Sequence, residues 1–103
     1  MFKLIYFVPV EALDSTKQAV FSAGAGRLGN YEQCAWQTLG LGQFKPCEGA
    51  SPYLGQAGLL EVVEEYRVET LVNETLIDAV IRALKLAHPY EEPAYEVVRL
   101  EVF

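Results

Sequence analysis

The sequence of 103 residues predicts an α+β fold in which four antiparallel strands form one sheet and two helices cover one of its faces. The main observation is the order of the strand and helix patterns along the chain, which is β-α-β-β-α-β. Right-handed crossovers then favour the strand order 4-1-3-2, the ferredoxin-like arrangement. In that order the first and last strands are antiparallel neighbours, so Met1 and Phe103 are expected to lie close together.

The first half of the pattern begins with a buried central strand, predicted at residues 2–8. These residues are β-branched or aromatic, apolar on both faces, and followed by Pro9. A helix is predicted over 10–23, with one apolar stripe made of Leu13, Lys17, Val20 and Gly24, with Phe21 beside it. Gly24 is expected to end this helix.

A second strand is predicted at 31–40, where polar and apolar residues alternate, and its polarity places it toward an edge of the sheet. Residues 40–58 contain five of the eight glycines and two of the five prolines, which predicts a long loop or an irregular hairpin tip. The third strand is predicted at 59–72, with one face toward the core, formed by Tyr66, Val68, Thr70 and Val72.

Asn73 is the expected N-cap of a second helix over 74–88, whose apolar stripe comprises Ile77, Val80, Ile81, Leu84 and His88. Pro89 ends this helix, and a last strand is predicted at 94–103. No helix covers the second face of the sheet in this arrangement. Trp36 and several tyrosines therefore need other cover, and we expect an oligomer formed through sheet faces or edges.

Composition excludes several classes of function. The net charge is −6, and the eight basic residues are scattered, whereas nucleic-acid binding needs clustered Lys and Arg. No apolar run approaches the length of a membrane span. Two cysteines, Cys34 and Cys47, without a C-x-x-C motif indicate a reduced, cytoplasmic protein.

Residues 24–29, Gly-Ala-Gly-Arg-Leu-Gly, form a literal G-x-G-x-x-G. A dinucleotide fingerprint must follow a strand and open a helix, so that helix N-terminal amides face the pyrophosphate. Here the pattern follows a helix and precedes a strand. It therefore favours a helix end and a close-packed turn, with Arg27 leaving open an anion site.

The stretch "AHPYEEPAY" carries the only histidine, His88, at a helix C-terminus where its protonated form should be favoured. With Glu91 and Glu92 it could ligate a divalent metal. The alternatives are a structural or interface turn, or contact with a small ligand.

The two cysteines and the acidic run 61–69 favour a structural role over a catalytic one. Neither cysteine has a base near it in sequence, so a buried thiol is the expectation for Cys34. The acidic run 61–69 places Glu65, Arg67 and Glu69 on one strand face, which is typical of a solvated, edge-protecting surface.

Four stretches, "GAGRLGNYEQCAW", "GLGQFKP.EGASPYLGQAG", "EEYRVETLV" and "AHPYEEPAYE", together resemble the middle domain of the YqfO branch of the NGG-one-interacting-factor family. In long members this domain is inserted between two halves of a dinuclear-metal protein, and in short members it is the whole chain. The long members hold their metals with residues of the flanking halves, and nothing here matches those motifs. The cyclohydrolase-like activity is therefore not carried over.

The inserted domain is similar to the CutA and PII group of ferredoxin-like proteins, and "HPYEEP" resembles a His-Pro-Tyr-Glu-x-Pro stretch of CutA. The resemblance implies a homotrimer. By analogy with the PII proteins, it also implies that the long loop 40–58 docks a protein partner.

The resulting hypothesis is a single CutA/PII-like domain over 1–103, a non-catalytic trimeric binding or regulatory protein without nucleic-acid or membrane partners. A ligand cleft is expected at a subunit junction, built from two groups of residues: Gly24, Gly26, Arg27, Gly29, Asn30 and Tyr31, and Pro89, Tyr90 and Pro93. The alternatives are divalent-metal binding by His88 with Glu91 or Glu92 and, less favoured, a nucleotide-related hydrolase.

Overall fold

The computed structural model describes all 103 residues and contains four strands and two helices. The elements in chain order are β1 (Phe2–Pro9), α1 (Leu13–Ser22), β2 (Ala35–Phe44), β3 (Glu61–Val72), α2 (Ile77–Ala87) and β4 (Tyr95–Arg99). One turn of 3-10 helix precedes each α-helix, at Val10–Ala12 and Glu74–Leu76. All neighbouring strands are antiparallel, in the order β2-β3-β1-β4. The predicted fold and strand order 4-1-3-2 are confirmed.

The core lies between the two helices and one face of the sheet. Its strand residues come mainly from the central strand β1, where Leu4, Tyr6 and Val8 are fully buried. They pack in one cluster with apolar residues of the other elements, among them Val20, Val68, Val72, Val80 and Leu84. Four of the five residues predicted for the stripe of α2 are confirmed, with Val80 and Leu84 in this cluster and the half-buried Ile77 and Ile81 packed against it, while His88 follows the helix as its C-cap.

The buried stripe of α1 differs from the prediction at one position. Leu13, Thr16 and Val20 are buried, whereas Lys17 is only half-buried and its amine donates to Gln37 Oε1 at 2.9 Å. Thr16 can enter the core because its hydroxyl donates to Ala12 O at 2.8 Å and accepts from Tyr6 Oη at 3.1 Å. Burial raises the pKa of Tyr6 to about 12, so this phenol remains a donor.

Helix α1 ends as its glycine predicts. Gly24 has φ +114°, its N–H donates to Phe21 O, and the N–H of Ala25 donates to Val20 O, both at 3.0 Å. These two bonds form a Schellman motif, which satisfies carbonyls at the helix end and needs a left-handed residue at Gly24.

Strand β2 was predicted at 31–40 but spans 35–44, and this part of the prediction is wrong. Leu28 and Tyr31 instead exchange two backbone hydrogen bonds, of 2.9 and 3.0 Å, around a tight turn at Gly29 and Asn30. The N–H of Cys34 is also used locally, donating to Gly26 O at 2.8 Å. The strand therefore starts later and includes two glycines of the predicted loop. Its predicted place at an edge of the sheet is confirmed.

The β2–β3 hairpin extends beyond the rest of the sheet. β1 pairs with β3 only as far as Pro9 opposite Glu65, while β2 continues to pair with β3 as far as Glu61. The long loop is thus a hairpin tip at 45–60. Strand β4 is shorter than the predicted 94–103, but the N–H of Leu100 still donates to Met1 O at 3.0 Å, so the first residue lies beside the end of the sheet.

The second face of the sheet carries no helix, and we refer to it as the open face. Directly paired residues of antiparallel strands share a face, and the pairing register places on it Lys3, Ile5, Phe7, Pro9, Trp36, Thr38, Gly40, Gly42, Phe44, Glu61, Val63, Glu65, Arg67, Glu69, Leu71, Glu96 and Val98. Trp36 is 61% exposed there and Val98 43%. Neither α-helix has the length and apolar character that a bilayer crossing requires.

Two glycines in the turn after α1, one closely packed and one in open space, allow the packing of this turn to be tested. Gly26 is buried at φ +83°, and a Cβ there would lie 2.9 Å from the backbone nitrogen of Cys34. Gly29 has φ +58° but open space around it. We expect Gly26→Ala to lower the free energy of unfolding by about 2–4 kcal/mol, and Gly29→Ala by about 1 kcal/mol through backbone strain alone. Urea denaturation measures both, and equal losses would contradict the close packing at Gly26.

Candidate functional site

His88 at the end of α2 is held by hydrogen bonds on both ring nitrogens. Nε2 lies 2.7 Å from Phe7 O, and because a carbonyl oxygen only accepts, Nε2 carries the proton. Nδ1 accepts from the N–H of Tyr90 at 3.1 Å, so it carries none. The side chain is only 5% exposed. The two bonds therefore define a neutral imidazole that joins the end of β1 to the α2–β4 turn.

The expectation that the helix C-terminus favours protonated His88 is wrong. Burial lowers the pKa of His88 below its ordinary value of 6.5, although the bond to Phe7 O and the charge of Glu65 act in the opposite direction. The physical reason is that an imidazolium loses its hydration in this site. It would also place a second N–H at Nδ1, where the N–H of Tyr90 already donates.

Tyr90 connects this turn to the hairpin. Its hydroxyl donates to Glu65 Oε2 at 2.9 Å, and burial together with the nearby carboxylate raises the pKa of Tyr90 far above its ordinary value. Its ring centroid lies 5.0 Å from that of His88, 5.8 Å from Phe44 and 6.1 Å from Tyr53. We call these four residues the aromatic cluster. The tyrosine remains a protonated donor, and the cluster joins three segments of the chain.

The hairpin tip is attached to the body of the protein by further bonds. The hydroxyl of Tyr53 donates to Glu11 Oε1 at 3.2 Å, at the start of the first helical segment. The backbone N–H of Ser51 donates to Glu91 Oε2 at 2.9 Å. A small cavity of about 170 Å³ lies between the tip and the α2–β4 turn, with Tyr53, Tyr90, Glu91 and Glu92 in its lining. The α2–β4 turn thus contacts the hairpin tip and helps to hold it in position.

The predicted metal ligands do not form a dense cluster. The structure contains no group of three or more His, Cys, Asp or Glu side chains positioned to hold a metal ion. Glu91 and Glu92 are exposed, and Glu91 already accepts from Ser51. Ligation by His88 would require loss of its bond to Phe7 or to Tyr90. Metal binding by His88, Glu91 and Glu92 stays a prediction.

The two predicted ligand-binding segments lie toward opposite ends of β1. The N–H of Gly26 donates to Leu71 O at 2.7 Å, and Leu71 pairs with Lys3 near the start of β1, whereas His88 bonds to Phe7 near its end. The residues from Arg27 to Tyr31 are exposed, and the Arg27 guanidinium lies 3.8 Å from Glu32. A cleft that uses both segments would therefore need a second copy of the chain.

Sequence reasoning missed four residues of the site, one of which is Phe44 of the aromatic cluster. Glu65 was interpreted as part of a solvated acidic face, but its carboxylate accepts from Tyr90 and lies over Gly42. Tyr53 and Glu11 join through a hydrogen bond across 42 positions of sequence. The one local signal was the placement of Gly42 among alternating strand residues, since a glycine in a strand indicates close approach of another group.

Comparison with known proteins gives consistent relatives, although no family model matches the chain. It is 45% identical over 100 residues to a "GTP cyclohydrolase 1 type 2 homolog" of Halalkalibacterium halodurans, and 43% identical over 99 residues to the protein of that name in Bacillus subtilis. These alignments cover 97% and 96% of this chain but only 27% and 26% of the relatives. The chain therefore spans about a quarter of the length of the curated relatives that it matches.

Solved structures show the same relationship and the fold. A Bacillus cereus protein related to NIF3, the NGG-one-interacting factor, superposes with a TM-score of 0.85 and 42% identity over 98% of this chain and 26% of that chain. CutA of Xylella fastidiosa has a TM-score of 0.71 at 16% identity over 99% of this chain and 85% of that chain. CutA1 of Pyrococcus horikoshii has a TM-score of 0.72 at 15% identity, over 100% and 86%. The chain is thus related to NIF3-type proteins, and its fold is CutA-like.

The neutral state of His88 predicts a pH dependence of stability. Because the folded-state pKa is lowered, the unfolded chain binds more protons than the folded chain below pH 6.5. The stabilisation is therefore complete above that pH and decreases as the pH falls toward the folded-state pKa. We expect the free energy of unfolding of the wild type, relative to that of His88→Gln, to decrease from pH 7.5 to 5. A pH-independent difference in urea denaturation would contradict this assignment.

The bond from Tyr90 to Glu65 should contribute to stability. Tyr90→Phe removes the hydroxyl but keeps the ring in the aromatic cluster, so we expect a loss of about 1.5 kcal/mol in the free energy of unfolding, at the low end for bonds to charged groups because the pair is only half-buried. The matched control is Tyr53→Phe, which removes the bond of an exposed tyrosine to Glu11 and should change stability by less than about 0.5 kcal/mol. The reverse order of effects would contradict the larger contribution of the Tyr90–Glu65 bond.

Proposed function

We propose that this chain is the CutA/PII-like domain of a YqfO-type protein, acting as a non-catalytic, trimeric binding or regulatory module. It would form a single domain over 1–103, work in the cytoplasm, and bind a protein or a small ligand at a junction between copies. The single observation that carries the proposal is the open face of the sheet, which has no helix over it and leaves Trp36 and Val98 exposed.

The relatives support the family part of the proposal. Identity of 43–45% extends over nearly the whole chain and stops at about a quarter of each relative, which is what a module embedded in a longer protein would give. The cyclohydrolase name belongs to proteins of which this chain aligns with only about a quarter, so that activity is not carried over to this chain. In the aromatic cluster, His88 and Tyr90 form their hydrogen bonds with other groups of the same chain. We propose that this chain is not catalytic.

The open face supports the proposed assembly. The central strand β1 contributes Ile5, which is buried within the chain, and the half-buried Phe7 to this face, whereas Trp36 and Val98 are exposed on it. Apolar side chains on an uncovered sheet face favour association with another surface. The resemblance to CutA and PII proteins implies that two further copies of the chain cover this surface.

The hairpin tip supports partner binding. Its attachment to Glu11 and Glu91 holds the loop in place, while Leu59 and Leu60 at its end and Val62 in β3 remain exposed. An ordered loop with apolar side chains on its surface is suited to recognition, because less conformational entropy is lost when it binds. We propose this loop, within 40–58 and extending to Leu60, as the docking element.

Sedimentation equilibrium tests the proposed assembly. We expect a mass of three chains, each of 11.5 kDa. Val98→Lys places a charge on the open face and should weaken association at least tenfold, because an unpaired charge would be desolvated in the interface.

The matched control is Leu86→Lys, since Leu86 is 84% exposed on α2, away from the open face, and this variant should assemble normally. A wild-type chain that stays monomeric at millimolar concentration would contradict the assembly. Equal weakening by both substitutions would show that the open face is not the interface.

A further inference from the structure

The open face contains a hollow of about 350 Å³ whose lining includes Phe7, Gly40, Gly42, Glu65 and Arg67. A Cβ at Gly40 would have no atom within 4 Å, so the backbone there is bare. The Glu65 carboxylate lies over Gly42, where any side chain would collide with it. The Arg67 guanidinium instead leans toward Glu69, with Nε 3.5 Å from Oε2. Because these two side chains lean apart, the hollow remains open between them.

The chemistry of the hollow suits a flat aromatic ring with one N–H donor. Glu65 uses Oε2 to accept from Tyr90, and its Oε1 has no hydrogen-bond partner. The Arg67 guanidinium lies 5.9 Å from the Phe7 ring centroid, so the hollow already has an aromatic surface and a cation that can stack on a second ring. A bare strand glycine is stabilised when an aromatic side chain from a neighbouring strand covers it.

Trp36 is the side chain of this protein that fits these requirements. It is the single tryptophan, it is 61% exposed, and it lies on the open face. Its indole has one donor and no acceptor, and it usually finds a hydrogen-bond partner when buried. It cannot fill the hollow of its own chain, because Gly40 is four residues further along the same strand, about 13 Å away.

We propose that Trp36 of one copy inserts into the Gly40 hollow of the next copy. Its indole N–H donates to Glu65 Oε1, its ring covers Gly40, and the Arg67 guanidinium stacks on it. This inference rests on the proposed assembly and specifies the contact that forms it. Each copy has one tryptophan and one hollow, and in the proposed trimer the contact therefore runs head to tail and closes as a ring.

The experiment uses two complementary variants in sedimentation velocity. Trp36→Ala removes the inserted ring and keeps the hollow, while Gly40→Val fills the hollow and keeps the ring. Valine suits a strand, and the site has room for its side chain, so Gly40→Val should fold, as circular dichroism and urea denaturation will show. We expect each variant alone to associate at least tenfold more weakly than the wild type.

Mixing the two variants gives the decisive result. The mixture retains one intact contact per pair, the valine variant's Trp36 in the alanine variant's hollow, so we expect one-to-one heterodimers and no ring. A mixture that stays monomeric overturns the inference. If both single variants form trimers like the wild type, the inference is also overturned, although the proposed assembly is not. The hollow would then be a site for a small aromatic ligand. A monomeric wild type overturns the proposed assembly itself.

Discussion

The structure depends on a central strand that is apolar on both faces while only one face is covered by helices. Leu4, Tyr6 and Val8 of β1 point into the core and organise the packing of both helices. Ile5 and Phe7 alternate with them and point to the open face. An apolar pattern on both faces of a strand is typical of a strand that is shielded from water on both sides. On the open face Ile5 is already buried within the chain, whereas Trp36 and Val98 remain exposed and available for association.

The end of the same strand determines the position of the candidate site. The carbonyl of Phe7 accepts from His88, and the other nitrogen of His88 accepts from Tyr90. Tyr90 in turn donates to Glu65 at the base of the hairpin. A neutral, buried histidine therefore links the core to the hairpin tip, which Glu11 and Glu91 also hold. Glu65 contributes one carboxylate oxygen to this network and has its other oxygen free at the hollow on the open face.

The sequence correctly predicted the elements that have long and consistent apolar patterns. Its predictions were wrong or incomplete where local hydrogen bonds set the start of a strand or where residues distant in sequence form a site. Strand β1 and helix α2 have such patterns and were located correctly. Strand β2 was displaced because the turn at Gly29 uses the backbone groups before Cys34, while Gly40 and Gly42 resemble loop residues. His88 and Tyr90 were found through their motif. Glu65 and Tyr53 were not, because only tertiary contacts bring them to it. The protonation of His88 was misjudged because burial lowers the pKa of its imidazole.

The fluorescence of Trp36 tests most directly the claim that another copy covers the open face. Trp36 is the only tryptophan and is largely exposed in a single chain, so its emission reports on this face alone. The account predicts blue-shifted emission and weak quenching by iodide at concentrations where the protein is assembled, with a change to exposed behaviour upon dissociation. Emission typical of a fully hydrated indole, with the same strong quenching at every concentration, would contradict it.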